Sequence, residues 1–193
     1  MIKLLKILQE ASKTGAMTGT QEKEFNTGLR KIHFNYGAYD RYAINDKTPH
    51  SKINLGGCGA FAKLLYYNMR KYLNITPEIV CLDLPHNQIQ PGKINNYKSV
   101  EEFNEVGNYC IHIALRIGDN YIDSSGIHKF SWYEQQIYNT DLAIQEGMTI
   151  QTLTSWVASG NSWNPTFNRY EIGDINKDMV EVLKLVKKSG IKK

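Results

Sequence analysis

The stretch that decides the fold runs from residue 56 to residue 73 and reads GGCGAFAKLLYYNMRKYL. Two glycines break the chain before Cys58, and we predict a helix from Cys58 to about Leu73. The apolar residues of this helix recur at the spacing of one buried face: Phe61, Leu65, Met69 and Tyr72. A cysteine in the first turn of a helix has its thiolate stabilised by unpaired N–H groups and by the positive end of the helix dipole. The stretch therefore predicts a core helix that begins with a reactive thiol; the alternative is a buried structural cysteine.

A second stretch, residues 112–123, reads HIALRIGDNYID and predicts a β-hairpin. In its first half the large apolar residues occupy every second position, so that His112 lies on the other face of the strand. Gly118-Asp119 suits a type II′ turn, which favours glycine first. In that register Ala114 faces Asp123, so His112 and Asp123 are diagonal neighbours on one face, close enough for their side chains to meet. A turn shifted by one residue, to Asp119-Asn120, would keep both side chains on one face but separate the pair by four positions. A three-residue loop would put the two side chains on opposite faces.

These residue types suit acyl transfer. A thiol that attacks an amide carbonyl needs a base, which removes its proton and later protonates the leaving amine, and the base needs a partner that fixes its orientation. We therefore predict Cys58 as the nucleophile, His112 as the base and Asp123 as the residue that orients the base. The N–H of Cys58 is expected to contribute to an oxyanion hole. His128 is a rival base, and a structural role for each polar residue is the alternative.

In order and spacing these residues resemble the transglutaminase-like superfamily, which shares the papain-like fold. The shared features are a Gly-x-Cys at a helix start, a Phe-Ala pair, an arginine near the helix end, a strand after a proline, a histidine that opens a strand and an aspartate that closes the next. In this chain they are Gly56, Cys58, Phe61, Ala62, Arg70, Pro77, His112 and Asp123, with Ser124, Ser125 and Gly126 after the aspartate. The resemblance covers Gly56 to about Gly126, a little over a third of the chain.

The resemblance implies an α+β fold with a papain-like core, in which the nucleophile helix packs on an antiparallel sheet and helices are added at both ends. It also implies cleavage or transfer of a peptide, isopeptide or glutamine side-chain amide of a protein or peptide substrate, with hydrolysis favoured and no cofactor. The alternative is a non-catalytic binding or regulatory module of the same fold. Weaker substrate-binding candidates are Asn54, Gly57, Gly59 and Trp163. No calcium-site cluster of carboxylates is evident, which argues against animal-type protein cross-linking in particular.

We expect a single domain, 1–193, with an N-terminal helical region (1–50), a catalytic core (51–130) and a C-terminal extension (131–193). Within it the sequence predicts these further elements: a helix capped by Thr20, a strand at 79–82, a loop over 84–98, a capping box at Ser99, a helix near 131–137 and a helix over 174–188. The tryptophans at 156 and 163 are expected in an aromatic patch, favoured as core packing.

Composition and charge limit which kinds of partner the protein is expected to bind. The net charge is +4 and the basic residues are dispersed, so nucleic-acid binding is not favoured, and we interpret the C-terminal lysines as a solvated helix end. No apolar stretch approaches the ~18 residues of a membrane span. The cysteines are three, at 58, 81 and 110, with no close spacing and no CxxC pair. We therefore expect Cys81 and Cys110 to be inert buried thiols, with no zinc site, in a cytoplasmic protein.

Overall fold

The computed structural model describes residues 17–37, 57–85, 90, 92–159 and 169–189. Its centre is one five-stranded antiparallel sheet with the strand order β4-β3-β2-β1-β5. The strands are β1 (Glu78–Asp83), β2 (His112–Ile117), β3 (Asn120–Asp123), β4 (Gly126–His128) and β5 (Ala143–Met148). The predicted α+β class is therefore confirmed, with an antiparallel sheet as expected.

The α-helices of the described part are α1 (Gly19–Gly37), α2 (Cys58–Leu73), α3 (Val100–Glu105), α4 (Phe130–Trp132), α5 (Ile150–Ser159) and α6 (Arg169–Ser189). A 3₁₀-helix spans Lys93–Asn96, and a π-helix, Tyr133–Tyr138, continues directly from α4. The predicted bounds of α2, Cys58 and Leu73, are confirmed. At the C-terminal end Asn74 closes the helix in a left-handed conformation. In the described part of the chain, no helix combines the length and the apolar character that crossing a bilayer requires.

Side chains of the sheet alternate between two apolar clusters, as the pleat of a strand requires. Ile79, Ile113 and Leu115 belong to the larger cluster, which α1, α2, α5 and α6 complete. Val80 and Ala114 point to the opposite face, where the π-helix provides the cover. The helix that begins at Cys58 and the π-helix therefore lie on opposite faces of the same sheet, and the start of β2 lies between them.

Two predicted helix starts can be compared with the structure. Ser99 is confirmed as an N-cap, because its Oγ accepts a hydrogen bond from the backbone N–H of Glu102 at 3.0 Å. The return bond of the predicted capping box is displaced by one residue: the Glu102 side chain accepts from the N–H of Lys98 at 2.6 Å. The cap of α1 was placed wrongly at Thr20. The helix begins two residues earlier, because Thr18 accepts from the N–H of Gln21 and the Gln21 side chain accepts in return from the N–H of Thr18, a reciprocal capping box.

Cys81 and Cys110 are joined in a disulfide, with their Cα atoms 5.6 Å apart. The prediction that both are inert free thiols is therefore wrong. Cys81 lies in β1 and Cys110 two residues before β2, and pairing of these strands (Leu82 opposite His112) brings the two sulphurs together. A separation of 29 residues in sequence gave no local signal of the bond. The argument from unpaired cysteines to a reducing compartment accordingly does not stand.

Candidate active site

Cys58 is the first residue of α2, and Gly57 is its N-cap. The cap provides no side-chain hydrogen bond, so the first N–H groups of the helix are left for the thiol or for another acceptor. Gly59 is packed between the sheet and α5: a Cβ at this position would lie 3.4 Å from the side chains of Ile113 and Val157, which is ordinary van der Waals contact. Of the weaker candidates, Gly57 and Gly59 thus lie at the helix start, whereas Asn54 and Trp163 are outside the described residues.

The β2–β3 hairpin has the register predicted from the sequence. Ile117 pairs with Asn120 and Leu115 with Ile122, which leaves Gly118-Asp119 as a two-residue turn. Gly118 has φ 56° and Asp119 does not have a positive φ, as a type II′ turn requires. This turn brings His112 and Asp123 to the same face of the sheet.

His112 and Asp123 form a buried hydrogen bond. Nε2 of His112 lies 2.9 Å from Oδ2 of Asp123, and the side chains are 2% and 4% exposed. Burial alone would raise the pKa of Asp123, but the hydrogen bond and the charge of His112 lower it to about 2. For His112 burial acts to lower the pKa, yet the hydrogen bond to Asp123 and the contact with Cys58 raise it to about 10. The two groups therefore hold each other in their charged forms.

The thiol of Cys58 lies beside the imidazole of His112. Nδ1 of His112 makes no hydrogen bond of ordinary geometry to a described residue, yet Cys58 is close enough for the two groups to shift each other's pKa. Burial raises the pKa of Cys58, and this is outweighed by His112 and by the N–H groups of Ile113 and Gly59, so that the pKa is lowered overall. His112 thus lies next to both groups: its Nε2 is hydrogen-bonded to Asp123, and its ring is close to the thiol of Cys58.

The π-helix provides two tyrosines that the sequence did not single out. The ring of Tyr133 packs against His112 with centroids 5.7 Å apart, and its buried hydroxyl lies beside Asp123. Burial, followed by the negative charge of Asp123, raises the pKa of Tyr133 well above its ordinary value. Burial and the neighbouring Cys58 and Asp123 also raise the pKa of Tyr138. The extra residue per turn of a π-helix is not visible in an apolar spacing, so the sequence predicted an ordinary helix there.

The second oxygen of Asp123 is held by the turn that follows it. Oδ1 accepts hydrogen bonds from the N–H of Ser125 at 2.7 Å and from its Oγ at 2.5 Å. Ser125 Oγ is in turn 3.0 Å from Nε2 of His128. Nε2 of His128 is therefore engaged with Ser125, which binds Oδ1 of Asp123, whereas His112 binds Oδ2. This is not the contact with Cys58 that a base would need.

Helix α1 supports the same turn from outside the sheet. His33 Nδ1 lies 2.8 Å from the hydroxyl of Ser124, Asn26 accepts from the N–H of Ile127 at 2.6 Å, and Arg30 Nε donates to the carbonyl of Ser125 at 3.4 Å. Residues 26, 30 and 33 recur at the i, i+4, i+7 spacing of one helical face. That polar stripe is a signal for this contact that the sequence contains, since its spacing is visible without the structure.

Only part of the expected aromatic patch falls within the described residues. Trp156 is buried on α5, packs against Phe103 and donates from its indole N–H to the carbonyl of Tyr97 at 2.9 Å. It is a core residue, as favoured from the sequence, while Trp163 lies outside the described residues.

Comparison with known proteins adds no relative: the chain matches no family model, no curated protein and no solved structure. Among the residues that the structure describes, no group of three or more His, Cys, Asp and Glu side chains is arranged to hold a metal ion. Any functional interpretation therefore depends on the geometry around Cys58.

Proposed function

We propose that this protein is a cysteine-dependent acyl-transfer enzyme of the papain-like, transglutaminase-like class, acting on an amide bond of a peptide or protein. The observation that carries the proposal is the alignment of three groups: the Cys58 thiol at a helix start, His112 beside it, and Asp123 at 2.9 Å from the far nitrogen of His112. The antiparallel sheet packed against the nucleophile helix is compatible with such a fold.

In the proposed first step the thiolate of Cys58 attacks the carbonyl carbon of the amide. A C–S bond forms, and the carbonyl electron pair moves to oxygen as an oxyanion. In the proposal the N–H groups at the start of α2, with that of Cys58 first, donate to the oxygen on which this charge develops. Gly57 leaves this approach free of a side chain, since the N-cap carries none.

Collapse of this intermediate breaks the C–N bond. His112, as imidazolium, gives its proton to the leaving nitrogen, and the acyl group remains on Cys58 as a thioester. Neutral His112 then takes a proton from water, and the resulting hydroxide attacks the thioester, which releases a carboxylic acid and regenerates Cys58. An amine in place of water would give a new amide, so hydrolysis and transfer differ only in the molecule that takes the acyl group from Cys58. We favour hydrolysis because water is always present.

Asp123 serves the base rather than the substrate. Its charge stabilises the imidazolium, and its hydrogen bond to Nε2 leaves Nδ1 to face the thiol. The lowered pKa of Cys58 and the raised pKa of His112 both favour a thiolate–imidazolium pair, which is the proposed resting state. Such a pair makes the thiol nucleophilic without an additional activating group.

The experiment exposes a peptide pool derived from a cell lysate to the protein, with and without a small primary amine. Mass spectrometry then separates three outcomes: new peptide termini, deamidated glutamine, and amine adducts on glutamine. Acid quenching should trap an acyl group on Cys58, seen in the intact mass. All of these products should disappear with Cys58→Ala and persist with Ser189→Ala, a matched loss of one polar side-chain atom at the end of α6.

The proposal is contradicted if Cys58→Ala forms the same products as the unmodified protein. If neither protein forms any product and no acyl group is trapped, a binding or regulatory module is the better interpretation of the same fold.

A further inference from the structure

We propose that Ser125 and His128 are positioning residues for this site: His128 donates to Ser125, Ser125 donates to Oδ1 of Asp123, and this chain fixes the carboxylate so that Oδ2 holds His112. The inference rests on the proposed function, because it assigns a role in the reactivity of Cys58. It extends the site by two residues: Ser125, to which the sequence gave no role, and His128, which the sequence offered only as a rival base.

The direction of each hydrogen bond follows from the number of protons available. Asp123 is ionised, because its pKa is lowered to about 2, so its oxygens can only accept. Ser125 has one hydroxyl proton, and the 2.5 Å contact with Oδ1 uses it. The 3.0 Å contact between Ser125 Oγ and His128 Nε2 must then be donated by His128. His128 therefore carries a proton on Nε2.

The surroundings of His128 favour the neutral ring with that proton. Burial lowers its pKa, as do the charges of Arg30 on α1 and His112 on β2. Asp123 on β3 and a hydrogen bond to the backbone of Ser125 act to raise it, and the net change is a lowered pKa. On the ring's face Trp132 stacks at a centroid distance of 3.4 Å with an interplanar angle of 6°. The stacking fixes the ring plane, so the Nε2–H can point only along one line, towards Ser125.

The two hydrogen bonds from His128 to Ser125 and from Ser125 to Asp123 affect His112 by restricting the rotation of the Asp123 carboxylate. With both oxygens of Asp123 engaged, on Ser125 and on His112, the group cannot turn about its terminal bond without breaking a charge-assisted hydrogen bond. Without the Ser125 hydroxyl only the N–H of Ser125 remains on Oδ1. The carboxylate is then held less firmly, its bond to Nε2 weakens, the pKa of His112 falls, and the pKa of Cys58 rises.

A purely electrostatic role would have the opposite sign. The Ser125 hydroxyl stabilises the charge of Asp123, so its loss makes the carboxylate more basic. A more basic carboxylate in an unchanged position would raise the pKa of His112 and lower that of Cys58. The direction in which the Cys58 pKa moves therefore separates positioning from simple charge stabilisation.

The test measures the rate of Cys58 alkylation by iodoacetamide from about pH 4 to about pH 10, read by peptide mass spectrometry. Cys58 is the one free cysteine, since the other two of the three are joined in a disulfide. Ser125→Ala should move the midpoint upward by about one pH unit, which is tenfold in the ratio of thiolate to thiol. Ser125→Thr, which keeps the hydroxyl, should retain the original midpoint, and so should Ser189→Ala.

A second pair of variants tests the role of His128. His128→Phe keeps a ring to stack on Trp132 but removes the donor, so the midpoint should rise by less than with Ser125→Ala. In a Ser125→Ala background the same change should add nothing, because both residues act through one hydrogen bond. Independently, the ¹⁵N spectrum of His128 should show the neutral ring protonated on Nε2 near neutral pH.

An unchanged or lowered midpoint in Ser125→Ala overturns the inference, and so does a His128 ring protonated on Nδ1 alone. These results leave the proposed function intact as long as the unmodified protein has a low midpoint. An ordinary midpoint in the unmodified protein contradicts the proposed function itself and the inference with it. Thermal unfolding of each variant, followed by circular dichroism, establishes that the alkylation rates refer to the folded state.

Discussion

Nε2 of His112 lies 2.9 Å from Oδ2 of Asp123, although the two residues are 11 positions apart and belong to different strands. The distance depends on the two-residue turn at Gly118-Asp119, which places both side chains on one face as diagonal neighbours. An additional residue in this turn would place them on opposite faces. The site is therefore determined by strand register as much as by the identity of its residues.

Replacing Asp123 by Asn should change how stability depends on pH. The raised pKa of His112 contributes stability that is complete below its ordinary value of 6.5 and is lost as the pH rises through about 10. The lowered pKa of Asp123 contributes stability that is complete above its ordinary value of 3.8 and is lost as the pH falls through about 2. Both contributions are thus complete between about pH 4 and about pH 6.5.

In Asp123→Asn the free energy of unfolding should be lower by about 1–3 kcal/mol near pH 5, and its pH profile should be flatter on both sides. Urea unfolding at a series of pH values measures this. The exposed turn residue Asp119, changed to Asn, is the matched control and should leave the profile unchanged in shape. A profile for Asp123→Asn that runs parallel to the original would show that the pair does not hold its charges as described.

Replacing Tyr133 by Phe should leave the free energy of unfolding within about 0.5 kcal/mol or raise it. The Tyr133 hydroxyl is buried and makes no hydrogen bond of ordinary geometry to a described residue, so its removal relieves a desolvation cost and keeps the packing of the ring. Tyr133→Ala, which removes the ring as well, should cost about 3–5 kcal/mol. If Tyr133→Phe alone destabilised the protein by more than ~1 kcal/mol, the hydroxyl would have a strong partner, with Asp123 the nearest acceptor.

Gly28 is predicted to be required for the packing of α1 on α6. A Cβ at this position would lie 2.4 Å from Cγ1 and 2.5 Å from Cγ2 of Val182, a β-branched side chain that cannot turn away. Gly28→Ala should therefore lower the free energy of unfolding by about 1–3 kcal/mol, despite the better helix propensity of alanine.

Gly173 provides the matched control for Gly28, because it lies within α6 and a Cβ there would meet nothing within 4 Å. Gly173→Ala should stabilise the protein by up to about 1 kcal/mol. Adding Val182→Ala to Gly28→Ala should recover part of the loss, which a double-mutant cycle would detect as coupling. Equal effects of the two glycine substitutions would mean that α1 and α6 are not in contact at this point.

Local sequence signals were sufficient for the centre of the site. The glycine break before Cys58 and the apolar spacing after it fixed both ends of α2, and the Gly118-Asp119 turn fixed the hairpin register. Each of these signals depends on residues close together in the chain. They account for the placement of Cys58 and of the His112–Asp123 pair.

Elements formed by distant pairing were missed. Strand β5 reads AIQEGM, which has weak strand propensity, and it forms because β1 provides an edge on which Leu82 pairs with Ile144. The Cys81–Cys110 disulfide likewise follows from strand pairing rather than from spacing.

Helix α5 was missed for a different reason: it contains Thr152 and Thr154, and threonine is a weak helix former. Its local signal is Thr149, which caps the helix by accepting from the N–H of Thr152.

The most direct test of the central claim is a pH titration of the thiolate absorbance of Cys58, taken as the difference between the unmodified protein and Cys58→Ser. The lowered pKa of Cys58 predicts that its thiolate forms at a lower pH than that of an ordinary thiol. His112→Asn, which removes the imidazolium, should move this transition upward towards that of an ordinary thiol, near pH ~8.5. A transition near pH ~8.5 in the unmodified protein, unmoved by His112→Asn, would contradict the account.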